Sequence, residues 1–173
     1  HVMGDALRGK DGYVLSSKVG RILTPRRKPQ DAADQWRSPL PFEWHFDYSY
    51  DAVMRSYEDT TQRMGLNKID ILYIHDIDVY SHGGEEKQRK AFATAMEHAY
   101  RALDELRRAG EIKAIGIGVN EAKPIHEALQ HGQWDVFLLA GRYTLLEQAP
   151  LHDAIPDIQK HGASIVIGGP FNS

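Results

Sequence analysis

Residues 69–76 read Ile69-Asp70-Ile71-Leu72-Tyr73-Ile74-His75-Asp76. The run is short, apolar and rich in β-branched and aromatic side chains, so it reads as a buried strand over 69–75 rather than a helix. Its mostly apolar character is that of a parallel strand covered on both faces. Its polar ending is the informative part, because parallel strands that close on an imidazole and a carboxylate deliver those groups to the C-terminal rim, where α/β active sites form.

Similar runs recur on both sides of this stretch. Residues 13–19, 112–117, 134–140 and 163–168 read as four more strands. Between them lie helical patterns. Residues 49–64 start at Ser49, a suitable N-cap, and carry Val53, Tyr57, Thr60 and Met64 on one face. Residues 87–109 repeat Phe92, Ala95, Met96, Ala99, Leu103 and Leu106 at helical spacing, with Gly110 as a stop. A shorter helix fits 123–131 behind Pro124, and another fits 150–161, weakened in its middle by Pro156. Strands alternating with helices imply βαβ units and a parallel sheet, either doubly wound or part of a barrel. A dinucleotide-binding turn of the Gly-x-Gly-x-x-Gly kind is not matched, since Gly116-Ile117-Gly118 is followed by Glu121 where the third glycine belongs.

Residues 21–48 are expected to form a long irregular loop. They contain Pro25, Pro29, Pro39 and Pro41, the aromatics Trp36, Trp44 and Phe46, and the basic cluster Arg26, Arg27 and Lys28. A loop of this length after a parallel strand is commonly functional. Trp36, Trp44, Phe46 and Asp76 are therefore candidates for the wall of a substrate pocket.

The 173 residues suffice for one domain over 1–173, and 42% hydrophobic with 26% charged residues is a globular balance. A formal charge of -3 gives no sign of a nucleic-acid or membrane-surface partner. The absence of cysteine excludes disulfides and thiolate metal sites and fits a cytoplasmic protein. No apolar run approaches the roughly 18 residues of a membrane span, and no leader pattern precedes Asp5.

Two residues stand out as chemistry. Lys18 and His75 each close a strand, and lysine is seldom buried without a partner. Each alone has a plain explanation: a lysine reaching solvent, a histidine packed structurally. On neighbouring strand ends they would share one mouth.

These stretches resemble the aldo-keto reductases. Tyr13-Val14-Leu15-Ser16-Ser17-Lys18-Val19-Gly20 is similar to the family's third-strand motif, 69–76 to its fourth-strand motif, and 99–121 to the passage from the fourth helix into the fifth strand. The resemblance covers essentially the whole chain, as strands three to seven of a (β/α)8 TIM barrel. It implies an incomplete barrel segment whose edge strands are 13–19 and 163–168. It also implies an oxidoreductase using NAD or NADP on a small carbonyl or alcohol substrate. Lys18 and His75 match the catalytic lysine and histidine. The lysine would lower the pKa of a tyrosine that acts as general acid or base, and neutral His75 would donate a hydrogen bond to the substrate oxygen. The family's catalytic aspartate and tyrosine precede the lysine strand and match nothing here; Tyr13, Tyr48 and Tyr50 are not substitutes.

Cofactor contacts depart from the family pattern. Gly116-Ile117-Gly118-Val119-Asn120 stands where Gly-Val-Ser-Asn is common, which leaves Gly118 and Asn120 as candidates against the carboxamide. Asn120 could equally cap the next helix. Ala140 stands where a glutamine is usual, and Gly168-Gly169-Pro170-Phe171 where a stacking tyrosine is usual. These glycine-rich variants resemble the branch of L-fucose, D-threo-aldose and pyridoxal dehydrogenases, which favours NAD and a sugar or pyridoxal-like substrate. Two other readings remain: a metal-dependent barrel hydrolase built on His75, Asp76 and Asp78, and a non-catalytic barrel subunit. The oligomeric state is open.

Overall fold

In the computed structural model, which describes residues 1–27 and 40–171, the apolar runs pair as one parallel sheet. Its strands are β1 (Ser16–Val19), β4 (Ile71–His75), β5 (Ala114–Val119), β6 (Val136–Ala140) and β7 (Ser164–Gly168), in the spatial order β1-β4-β5-β6-β7. All four neighbouring pairs are parallel, and β1 and β7 are the edges.

The strand residues divide by parity. One set, Val19, Leu72, Ile74, Ile115, Ile117 and Phe137, is buried with Leu103, Ile125 and Ile158 of the helices in a continuous core. The other set contains Lys18, Tyr73, His75, Gly116, Gly118 and Leu138 and forms the concave face. That face is less covered than the reading of 69–76 implies: Lys18 is exposed, and so is Val166 at 43%. The helix-packed face is the drier of the two, although Ser17, Ile165 and Ile167 on the edge strands are only half-buried.

Asp70 sets the register at the start of the sheet. Its Oδ2 accepts the Leu15 N–H at 2.9 Å, its own N–H donates to the Leu15 carbonyl at 2.8 Å, and its carbonyl accepts the N–H of Lys113 at 2.8 Å. Its side chain is 1% exposed, and Oδ1 is met by the ammonium groups of Lys68 at 3.2 Å and Lys113 at 3.0 Å. Burial pushes this carboxyl up, but the Leu15 N–H and the two lysines outweigh it and leave the group below its usual range. Asp135 repeats the device one interval along, accepting the Ile115 N–H at 2.9 Å and Arg107 at 2.6 Å. Between these pins the sheet is close-spaced: a Cβ on Gly116 would lie 1.7 Å from the Val136 carbonyl oxygen.

The helices follow their sequence signals with three revisions. α2 (Tyr50–Met64) begins behind Ser49, whose hydroxyl accepts the Ala52 N–H, and ends at Gly65 in the left-handed region. The stretch read as one helix over 87–109 is α4 (Glu85–Thr94) and α5 (Tyr100–Arg108), joined by a π turn at Ala95–Ala99. α6 spans Lys123–Leu129. The stretch 150–161 is not one helix: a 3-10 turn (Ala149–His152) precedes α7 (Ala154–Lys160), with the break at Asp153. Pro156 thus lies in the first turn of α7, where its missing N–H costs nothing. Two short helices lacked a sequence signal, α1 (Val2–Leu7) and α3 (Val79–His82).

The largest revision concerns 21–48. Its described parts form an antiparallel pair, β2 (Arg21–Pro25) and β3 (Phe42–Phe46), pairing Arg21 with Phe46 and Leu23 with Trp44. Pro25 and Phe42 close the ladder at its outer end. Trp36 lies outside the described residues.

Asp70→Ala should orphan the buried Leu15 N–H and lower the unfolding free energy of the full-length protein by about 2–3 kcal/mol, read from urea denaturation. Because the folded carboxyl is more acidic than the unfolded one, its contribution is present above the unfolded pKa and is lost as pH falls through the folded value. The 173-residue chain expressed by itself should self-associate through its bare edges β1 and β7 and its concave face; a dilution-stable monomer in light scattering would contradict this.

Candidate active site

The C-terminal ends of β1, β4, β5 and β6, together with the β2–β3 ribbon, enclose a cavity of about 660 Å³. Lys18 and His75 both line it, as do Asp76, Gly118, Asn120, Trp44 and Phe46. The two nitrogens expected to converge therefore share one mouth. Lys18 pairs with Tyr73, so His75 is the next inward position along the neighbouring strand. His75 in turn pairs with Gly118. The stem of Lys18 lies across that glycine, with Cε 3.5 Å from where a Cβ on residue 118 would stand. Among the described residues the Lys18 ammonium has no ion pair or hydrogen bond.

Burial first, then the charges of Arg21 and Lys18, push the His75 imidazole down to about 3, against an upward push from Asp78. The ring is therefore neutral at physiological pH. In stability terms the unfolded chain takes up this proton near pH 6.5 and the folded chain does not. Folding therefore weakens as pH falls between 6.5 and about 3.

A polar network spans the strand ends. Asp76 follows His75 with φ 53°, a left-handed backbone that aspartate tolerates better than most residues. Its Oδ2 accepts from Arg21 at 2.6 Å and stands 3.2 Å from His75 Nε2. Its Oδ1 accepts from Asn120 Nδ2 at 3.2 Å. The same amide donates to Asp78 Oδ2, and the Asn120 backbone N–H donates there at 2.6 Å. Asp78 Oδ1 caps α3 by accepting the Ser81 N–H. Asn120 thus faces the carboxylates and does not cap α6, whose N-cap is Ala122. Asp78 has its oxygens committed to N–H groups, and among the described residues no three His, Cys, Asp or Glu side chains gather as metal ligands.

The aromatic wall is built by the ribbon. The Arg21 guanidinium lies 4.3 Å from the Trp44 ring centroid and 5.2 Å from that of Phe46. Phe46 stacks on Tyr48 at 5.8 Å. Tyr48 itself is a strap: its buried hydroxyl donates to the His75 carbonyl at 2.7 Å and approaches the Asp76 carbonyl at 3.1 Å. Burial, reinforced by Asp76, pushes its phenol upward, the wrong direction for a proton-transfer group.

Arg21 lines the cavity without having been singled out by the sequence, as do Tyr80 and Ser81 of α3. The partner of Arg21 is 55 positions away, and the only local hint was a cation three residues after Lys18.

All 173 residues match the model of the aldo/keto reductase family. The chain belongs to this family. It is 44% identical to a pyridoxal 4-dehydrogenase of Microbacterium luteolum over 183 aligned residues, covering 100% of this chain and 53% of that protein. It is 32% identical to a D-threo-aldose 1-dehydrogenase of a Pseudomonas species, covering 95% of this chain and 48% of that one. The chain therefore spans about half the length of these curated relatives. In fold it matches the holo form of an aldo-keto reductase from Bacillus halodurans, with a TM-score of 0.64 at 24% identity over 97% of this chain and 47% of that one. It also matches a glycerol dehydrogenase from Gluconobacter oxydans, with a TM-score of 0.66 at 18% identity over 97% and 44%. The parallel sheet is thus an arc of an aldo-keto reductase TIM barrel. Among the described residues no helix is long and apolar enough to cross a membrane.

In the full-length protein the His75 ring should show no NMR titration between pH 8 and 5; a midpoint near 6.5 would contradict the burial and charge assigned to it.

Proposed function

We propose that this chain is the central part of one barrel domain in an NAD(P)-dependent dehydrogenase, which interconverts a sugar hemiacetal or pyridoxal-like alcohol with its carbonyl form. The observation that carries this reading is the convergence of Lys18 and His75 on one cavity at the ends of adjacent parallel strands. The 44% identity to a pyridoxal 4-dehydrogenase and the 32% identity to an aldose dehydrogenase support the substrate class. The aromatic faces of Trp44 and Phe46 suit a sugar or pyridine ring.

The residues present fit a nicotinamide. Gly118, Leu138 and Ala140 offer a shallow apolar surface, and the side-chain Oδ1 of Asn120 accepts no hydrogen bond among the described residues, whereas its backbone carbonyl accepts from Arg142 Nε at 2.9 Å. Asn120 would hold the carboxamide, and Gly118 would leave room for the ring. A bound nicotinamide would supply the hydride acceptor for oxidation of the alcohol carbon; NAD is the favoured form, by resemblance to the aldose and pyridoxal dehydrogenase branch.

This chain's own side chains orient and polarise. Neutral His75 donates one N–H to the substrate oxygen, and because the ring does not protonate in the physiological range, this hydrogen-bonding arrangement stays the same across it. The Lys18 ammonium favours the phenolate of a tyrosine supplied by residues outside this segment, which brings that proton acceptor toward working pH. The wall of Trp44, Phe46 and Arg21 shields the reacting carbon from water.

Lys18→Met in the full-length enzyme should lower kcat with NAD and a pyridoxal or aldose substrate by about 100-fold or more, with binding of the nucleotide retained. Turnover within a few-fold of the parent would overturn the assignment.

A further inference from the structure

The carboxylate that touches His75 has no part in the reading above. Asp76 Oδ2 is shared by two groups: Arg21 holds it at 2.6 Å, and His75 Nε2 stands 3.2 Å away on its other side. Among the described residues the ring makes no hydrogen bond, and Asp76 is the one carboxylate within ion-pair distance of it. A neutral imidazole has one donor and one acceptor nitrogen, and the surroundings decide which is which. Against a carboxylate, the proton belongs on the nitrogen that faces it.

We propose that Asp76, clamped by Arg21, is a positioning residue that keeps the proton of neutral His75 on Nε2. The proposal rests on the role assigned to His75 above and explains how the ring is made a donor before substrate arrives. A substrate oxygen entering the cavity then shares an N–H already in place. Without the carboxylate, part of the population would present a lone pair to that oxygen and bind it poorly.

The local construction serves this arrangement. The left-handed turn at Asp76 brings its carboxylate back onto the ring that precedes it. Asn120 holds the second oxygen, so the carboxylate is fixed at both ends. Arg21 is fixed in turn by the faces of Trp44 and Phe46. Burial first, with the nearby Asp78, pushes the Asp76 carboxyl above its usual range, and Arg21, the Asn120 amide and Lys18 pull against that rise. Arg21 thus has a second duty, favouring the anionic carboxylate that faces Nε2 against the effect of burial.

The experiment uses the full-length protein with 15N-labelled histidine, read by long-range proton–nitrogen NMR at neutral pH without substrate. The parent should show His75 as the Nε2–H form. Asp76→Gly removes the carboxylate while a glycine accepts φ 53° freely, and it should give a mixture of the two tautomers. The same variant should lower kcat/KM about tenfold, the scale of losing a group that orients a histidine. Arg21→Gln should raise the acid limb of the kcat/KM pH profile, and Arg21→Lys should restore most of it. An unchanged Nε2–H form in both Asp76→Gly and Arg21→Gln would overturn the proposal, as would an Nδ1–H form in the parent. The NMR reading needs no turnover, so it separates this proposal from the dehydrogenase reading, which fails instead if Lys18→Met leaves activity intact.

Discussion

The buried carboxylate of Asp70 is the constraint on which the site depends. It fastens the residue before β1 to the residue before β4 by a reciprocal pair of hydrogen bonds, and two ammonium groups neutralise it at the surface. That contact fixes which residue of β1 lies beside which residue of β4. A slip by one position would turn Lys18 toward the helices and leave His75 without it in the cavity. The cavity at one end of the sheet is thus aligned by a polar contact at the other. Chemistry and stability are separated along the strands, as parallel barrels generally arrange them.

At the opposite end the strand tips are joined by charge rather than by apolar packing. Arg21, Asp76, Asn120 and Asp78 link the ribbon, β4 and β5 through hydrogen bonds of 2.6 to 3.2 Å. Each carboxylate has a designated set of donors, which is what a partly buried anion requires. Burial first, then Arg21 and Lys18, leaves His75 uncharged, and burial reinforced by Asp76 leaves Tyr48 protonated. The cavity therefore holds one ammonium without a counter-ion among the described residues, Lys18, beside an imidazole that stays neutral.

The sheet was legible in the sequence because each strand buries a helix-facing set such as Leu72 and Ile74 or Ile115 and Ile117, and burial leaves an apolar run. Lys18 and His75 were legible as polar residues interrupting such runs. The ribbon was not, although Phe42, Trp44 and Phe46 alternate with Glu43 and His45, because the surrounding prolines Pro25, Pro29, Pro39 and Pro41 read as loop and the mostly exposed β3 stands over the mouth instead of facing a core. The π turn at Ala95–Ala99 left no compositional trace. Pro156 misled because its effect depends on distance from the helix start, which moved when the break fell at Asp153. The Arg21–Asp76 pair was hidden because charge pairing across 55 residues has no periodicity to reveal it.

Gly116 carries a consequence for comparing relatives. A Cβ there would overlap the carbonyl of Val136, so any side chain would force β5 and β6 apart. A glycine kept at this position in homologous sequences would report a limit set by the neighbouring backbone, and would say nothing of chemistry.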